Sequence, residues 1–295
     1  MTRELVLVSG KGGTGKTSMT ASFAVLADRA VIADCDVDAA DLHLVLSPRI
    51  RERHDFHSGR QAVVRPAACT GCGECLARCR FDAIAAQDGV DGAVTVAVDP
   101  LACEGCGVCV RCCPEDAIEF PERLCGEWMV SDTRCGPMVH AKLAAAAESS
   151  GKLVTTLRKE ARRIAEAQDC PLIIVDGPPG IGCPVIASVT GATLVLVVAE
   201  PTVSGEHDLD RVLCLTRHFN IPAAVCVNKW DINPGMADRI EGKASHAGAR
   251  LAGRVRYDPS VTTAQMQRCA VVETAASCAE DVQRVWGRLG LYEEA

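Results

Sequence analysis

The stretch from Glu4 to Ala27 constrains the fold more than any other part of the chain. It reads E-L-V-L-V-S-G-K-G-G-T-G-K-T and runs on with helical spacing. Glu4 to Val8 is a short apolar strand, Gly10 to Thr17 fits G-x4-G-K-[ST], and Lys16 to Ala27 is the predicted helix. Glycines in such a loop let backbone N–H groups converge on phosphate oxygens, beside the unpaired N–H groups of the helix's first turn. Lys16 is expected to reach the β- and γ-phosphates and the Thr17 hydroxyl to ligate Mg2+. Gly10, Lys11, Gly12, Gly13, Thr14, Gly15 and Ser18 complete the predicted nucleotide loop. Leu172 to Gly180, Leu194 to Glu200 and Ala223 to Asn228 are further apolar runs, as expected of parallel strands covered on both faces.

Between these elements lie two cysteine quartets. Cys69, Cys72, Cys75 and Cys79 read C-x2-C-x2-C-x3-C, and Cys103, Cys106, Cys109 and Cys113 repeat the pattern 34 residues on, followed by Pro114. From Cys69 to Ile84, 9 of 16 positions recur in the second block, which marks an internal repeat. Four thiolates at this spacing suit a cubane [4Fe-4S] cluster, and in two-cluster ferredoxins the fourth cysteine of each run serves the other cluster. The expected sets are therefore Cys69, Cys72, Cys75 and Cys113 for one cluster, and Cys79, Cys103, Cys106 and Cys109 for the other. Zinc is the alternative for paired CxxC units, though runs of three fit it poorly. Arg80 stands where ferredoxins usually carry proline, a turn position and not a ligand.

The loop K-G-G-T-G-K-T resembles the deviant Walker A motif of the MinD/ParA/Mrp and nitrogenase-iron-protein class, in which Lys11 would reach the nucleotide of a second chain. The resemblance continues in V-I-A-D-C-D, which puts Asp36 where the class orients the attacking water. In L-I-I-V-D-G-P-P-G it puts Asp176 at the Mg2+ region, and Asn228-Lys229 fall at its adenine contact. It implies ATP and Mg2+ as cofactors, Lys11, Lys16, Asp36 and Asp176 as the catalytic set, and a homodimer formed through nucleotide. Asp231 makes N-K-x-D, a guanine-reading pattern in GTPases, which keeps GTP as an alternative. Over almost its full length the chain resembles MinD-superfamily ATPases with an inserted ferredoxin domain. The expected fold is α/β: a doubly wound, mostly parallel P-loop sheet (1–55 and 121–295) carrying a small α+β bacterial-ferredoxin-like insert (56–120). Cys183 sits seven residues after Asp176, near a cluster-ligating position of the nitrogenase iron protein. With Cys135, expected before a helix, it forms a candidate metal pair bridging a dimer.

Composition narrows the functions. The 295 residues include 18 cysteines, yet the chain is large and starts on a strand, so reduced metal-binding thiols in a cytoplasmic protein are expected over disulfides. A net charge of −7 offers no general affinity for DNA or anionic lipid, so no nucleic-acid or membrane partner is expected. The acidic close Tyr292, Glu293, Glu294 turns the Val282/Val285/Trp286/Leu289 stripe toward packing and away from membrane binding. The expected function is ATP-dependent electron transfer to an acceptor protein or delivery of a metal cluster to one. The alternatives are an Mrp-like assembly scaffold and a MinD/ParA-like positioning ATPase with a redox-sensing insert.

Overall fold

The computed structural model describes residues 2–88, 94–144, 147 and 151–291; Tyr292, Glu293 and Glu294 lie outside the described residues. In chain order the strands are β1 (Arg3–Ser9), β2 (Ala30–Asp34), β3 (Arg49–Arg60), β4 (Val63–Val64), β5 (Ile84–Asp88), β6 (Val94–Val98) and β7 (Ile118–Glu119). They continue with β8 (Glu122–Thr133), β9 (Gly136–Leu143), β10 (Leu172–Pro179), β11 (Leu194–Ala199), β12 (Ala223–Asn228) and β13 (Arg250–Val255). The helices are α1 (Lys16–Leu26), α2 (Leu42–Leu46), α3 (Glu74–Arg78), α4 (Val108–Cys112) and α5 (Gly151–Ala167). After them come α6 (Cys183–Val189), α7 (Val203–His218), α8 (Pro234–His246), α9 (Ser260–Met266) and α10 (Ala279–Arg288).

The chain divides into two compact units. One comprises 1–54, 127–143 and 148–295, and the other 55–126 with 144–147. Nine strands form one sheet in the order β13-β12-β11-β1-β10-β2-β9-β8-β3. From β13 to β9 every described pairing is parallel. Parallel neighbours require crossovers, and the helices between them supply those and cover the sheet. β10 shows why such strands read as continuous apolar runs: Leu172 to Val175 are all buried, and Asp176 ends the run equally buried. On one face Leu5, Leu7, Ile174 and Leu196 pack with Phe23 of α1, and Trp286 of α10 meets the Phe23 ring at 5.0 Å between centroids. Full burial of one such side chain stabilises by about 1.5–3 kcal/mol. The Val282/Val285/Leu289 stripe of α10 is part of this core.

The second unit is small and repeats itself. α3 and α4 are five-residue helices, each ending just before the last cysteine of its run. β5 and β6 pair antiparallel from Ile84↔Val98 to Asp88↔Val94, and β4 pairs with β7. Residues 121–126 fall in this unit, so it extends beyond the expected insert 56–120.

Three elements differ from the sequence expectation. No apolar run marks β3, whose twelve residues are nearly all exposed and rich in charge. β13 was absent from the predicted strands because Arg250, Gly253 and Arg254 break its apolar pattern. Cys135 does not precede a helix: it lies in the turn between β8 and β9, and β9 follows it.

Candidate functional site

The nucleotide loop joins β1 to α1. Gly15, at the helix entry, has φ +87°, and a Cβ there would come within 2.3 Å of Asn228 Nδ2. That left-handed turn and close approach both call for glycine. Asn228 Nδ2 donates to the Thr14 carbonyl at 2.7 Å, and its Oδ1 accepts from Lys229 N–H. Asn228 thus braces the loop from β12, besides lining the cleft.

Lys16 is buried and makes two ion pairs, 2.8 Å to Asp176 Oδ1 and 3.1 Å to Asp36 Oδ2. Burial opposes its charge, but Asp176 and Asp36 outweigh it and hold the Lys16 pKa above its ordinary value. Thr17 Oγ1 donates to Asp176 Oδ2 at 2.7 Å, and Thr20 Oγ1 to Asp176 Oδ1 at 2.8 Å. Asp176 and Asp34 are register partners on β10 and β2, so a third carboxylate stands beside the cluster. Burial, with the charge of Asp176, pushes Asp34 well above the usual carboxylate range. Burial likewise raises Asp36, with Lys16 opposing it.

A cleft of about 380 Å3 runs from this loop to the segment after β13. Gly12, Gly13, Lys16, Thr17, Ser18 and Asp36 line one end, and Tyr257, Pro259 and Thr262 the other. Its size is within the range of small-molecule sites. Among the described residues, Thr14 Oγ1 and Asp34 Oδ2 are buried with no hydrogen-bond partner, an arrangement that a bound polar ligand or its water shell would satisfy. The donor set fits Mg-nucleotide: N–H-rich loop, lysine, hydroxyl and carboxylate. Lys11 lies elsewhere, its ammonium 3.0 Å from Glu200 Oε2, and Lys229 meets the other oxygen of Glu200 at 2.5 Å. Burial works against the Glu200 charge, but the two lysines hold its carboxyl below the usual range. Asp231 Oδ1 accepts the Tyr257 N–H at 2.7 Å.

In the second unit the eight cysteines surround two separate cavities. Cys69, Cys72, Cys75 and Cys113 line one, with Glu74, Val96 and Ile118. Cys79, Cys103, Cys106 and Cys109 line the other, with Phe81, Val98 and Phe120. Each cavity takes three cysteines from one run and the fourth from the other. All 18 cysteines are free thiols. Among the described residues no three Cys, His, Asp or Glu side chains converge as ligands of a single metal ion. The four sulfurs of a cubane sit at the corners of a cluster and stand further apart than that. Burial pushes Cys109 up to about 11 and raises Cys75, so a soft cation would displace protons there. The donor chemistry and the grouping fit [4Fe-4S] clusters. Cys112 lines neither cavity, and its Sγ donates to the Cys109 carbonyl at 3.5 Å.

Cys135 and Cys183 do not come together. A Cβ on Gly136 would be 2.4 Å from the Ala30 carbonyl, so the Cys135 turn abuts the start of β2. Cys183 opens α6, beyond the end of β10, and β2, β9 and β10 run parallel. Within one chain the two cysteines therefore lie at opposite ends of parallel strands, Cys135 at the N-terminal end of β2 and Cys183 past the C-terminal end of β10. Sequence reasoning missed Asp34, Glu200 and Tyr257; the doublet D-C-D carried a signal for Asp34 alone.

Residues 5–268 match the family model for the CobQ/CobB/MinD/ParA nucleotide binding domain. Uncharacterized protein MJ0578 of Methanocaldococcus jannaschii is 33% identical over 233 residues, covering 78% of this chain and 79% of its own. Protein MJ0579 of the same organism is 24% identical over 258 residues, covering 78% and 81%. Among solved structures, the cell division protein MinD of Aquifex aeolicus gives a TM-score of 0.55 at 18% identity over 99% of this chain and 98% of that one. An ATP complex of McdA from Cyanothece gives 0.58 at 14% over 100% and 98%. At such identities these two likenesses speak for the fold alone.

Proposed function

Because the chain belongs to the CobQ/CobB/MinD/ParA nucleotide-binding family, whose MinD and ParA members are ATPases, we propose that it is an ATP-driven iron–sulfur switch. Nucleotide binding and dimerisation in the sheet unit are coupled to two [4Fe-4S] clusters in the cysteine unit. The coupling serves electron transfer to an acceptor protein or delivery of a cluster to one. The observation that carries this reading is the grouping of eight cysteines, four and four in crossed fashion, around two cavities of a chain that also holds a P-loop.

Lys16 would neutralise the β- and γ-phosphates, and Thr17 with Asp176 would hold Mg2+, as their mutual contact at 2.7 Å suits. Asp36, 3.1 Å from the Lys16 ammonium, would orient the attacking water. Lys11 would act on the nucleotide of a second chain. ATP is preferred over GTP because Asp231, the guanine reader of N-K-x-D, is occupied by the Tyr257 amide. Bound clusters supply one-electron chemistry near cysteine ligands; this chain's part is to hold eight thiolates in two sets and to limit their exposure.

The test is EPR of anaerobically prepared protein, reduced and titrated with Mg-ATP and Mg-ADP. Cluster signals that change in line shape or midpoint with ATP, and not in a Lys16→Ala variant, are expected. Signals indifferent to nucleotide would separate the two halves of the reading and overturn the coupling.

A further inference from the structure

Glu200 follows the last residue of β11, and its side chain is 12% exposed. It spans two lysines, with Oε2 3.0 Å from Lys11 Nζ and Oε1 2.5 Å from Lys229 Nζ. Lys229 is anchored a second time, since its ammonium donates to the Gly13 carbonyl at 3.0 Å from a backbone held at φ +56°. Lys11 is 38% exposed and pairs with the carboxylate through this one contact. One carboxylate therefore ties down both cations that flank the nucleotide loop, firmly at Lys229 and loosely at Lys11.

We propose that Glu200 is the local counter-ion that Lys11 must leave before it can serve a second chain's nucleotide, and that Glu200 thereby sets the protein concentration at which nucleotide pairs two chains. The inference rests on the proposed trans role of Lys11. Its physical content is a competition for one ammonium. The polyphosphate of a partner chain carries more charge than a single carboxylate, so it wins once both chains are loaded. Lys11 is the more exposed partner, and Glu200 keeps Lys229 when Lys11 leaves, so no buried charge is left unpaired and the exchange is reversible. Lys229 remains on Glu200 and Gly13 and keeps the loop in shape. Glu200 is accordingly a positioning residue, acting through Lys11. A purely structural brace would behave in the opposite way: its loss would loosen the loop, weaken nucleotide binding and weaken the dimer.

Sedimentation velocity on the full chain, with Mg-ATP and protein concentration varied, separates these outcomes. Glu200→Gln is expected to dimerise at lower concentration, by about fivefold for each ion pair no longer broken, two per dimer. Its affinity for ATP in the monomer should stay within about twofold of wild type. The gain should vanish in a Lys11→Ala background. If Glu200→Gln dimerises no better or worse than wild type while Lys11→Ala abolishes dimers, Glu200 has no such role and the trans role of Lys11 stands. If Lys11→Ala dimerises with Mg-ATP like wild type, both ideas fall together. Should Glu200→Gln not fold, Glu200→Asp, one methylene too short to span both lysines, is read by the same criteria.

Discussion

In the sheet unit Leu5, Leu7, Phe23, Ile174 and Leu196 have no exposed surface, and the core around them is apolar and mostly aliphatic. In the cysteine unit the buried cluster is five residues, Ala62, Cys75, Ile84, Val96 and Ile118, packed against six further cysteines that are only partly covered. The sheet unit buries enough apolar surface to hold itself together. The cysteine unit does not, and small units of this kind rely on metal or cross-links for cohesion. The difference teaches that the nucleotide site and the proposed clusters would rest on independent sources of stability within one chain.

The largest expected effect follows from that contrast. Anaerobic removal of iron by a chelator should abolish the ordered structure of residues 55–126, seen as rapid limited proteolysis there. ATP affinity, measured by calorimetry, should remain within about twofold. Survival of the cysteine unit without metal would break the comparison.

Next in size is Lys16→Ala. The two charge-assisted phosphate contacts proposed for Lys16 would be lost, at about 1.5–3 kcal/mol each, so nucleotide affinity should fall by about 100-fold or more. Iron content should not change, and a parallel loss of iron would show that the two units are not independent.

Much of the sheet unit was legible in the sequence because each β-strand of its centre is a continuous apolar run and the P-loop has its own signature. What escaped notice did so for identifiable reasons. β3 earns its place by backbone pairing at a charged edge, with no apolar pattern to betray it. Glu200 ends an apolar strand and its partners are 189 and 29 residues away in sequence, so only the folded chain brings Lys11 and Lys229 to it. Cys135 and Cys183 lie at opposite ends of the strands within one chain, which sequence spacing does not reveal, because a position beside a turn says nothing about the strand end it occupies. Three cysteines of each group were legible from the short intervals within a run; the fourth comes from the other run and was legible only through the two-cluster ferredoxin pattern.

A third, smaller effect lies in the sheet unit. His140 is buried, and its pKa is lowered from 6.5 to about 4, chiefly by burial and then by the charges of His43 and Arg53, with Glu127 opposing. Ser131 Oγ lies 2.8 Å from its Nε2. Since the unfolded chain binds the proton more readily, the contribution is complete above pH 6.5 and is lost as pH falls toward 4, by at most about 3 kcal/mol. Urea unfolding of the full chain from pH 7 to pH 4.5 should show this slope, and His140→Gln should flatten it.

The smallest effect is expected at Cys112, which lines neither cavity. Cys112→Ser should leave iron content unchanged and shift stability by no more than about 0.5 kcal/mol. A loss of iron would place Cys112 among the ligands and undo the crossed grouping.

Iron and acid-labile sulfide per chain, determined side by side on anaerobically prepared wild type and Cys79→Ser, test the central claim most directly. Wild type should carry about eight of each, and the variant should keep about four, with the EPR signal of the cluster at Cys69, Cys72, Cys75 and Cys113 intact. Iron absent from wild type, zinc in its place, or loss in Cys79→Ser of the cluster held by Cys69, Cys72 and Cys75 would contradict the account.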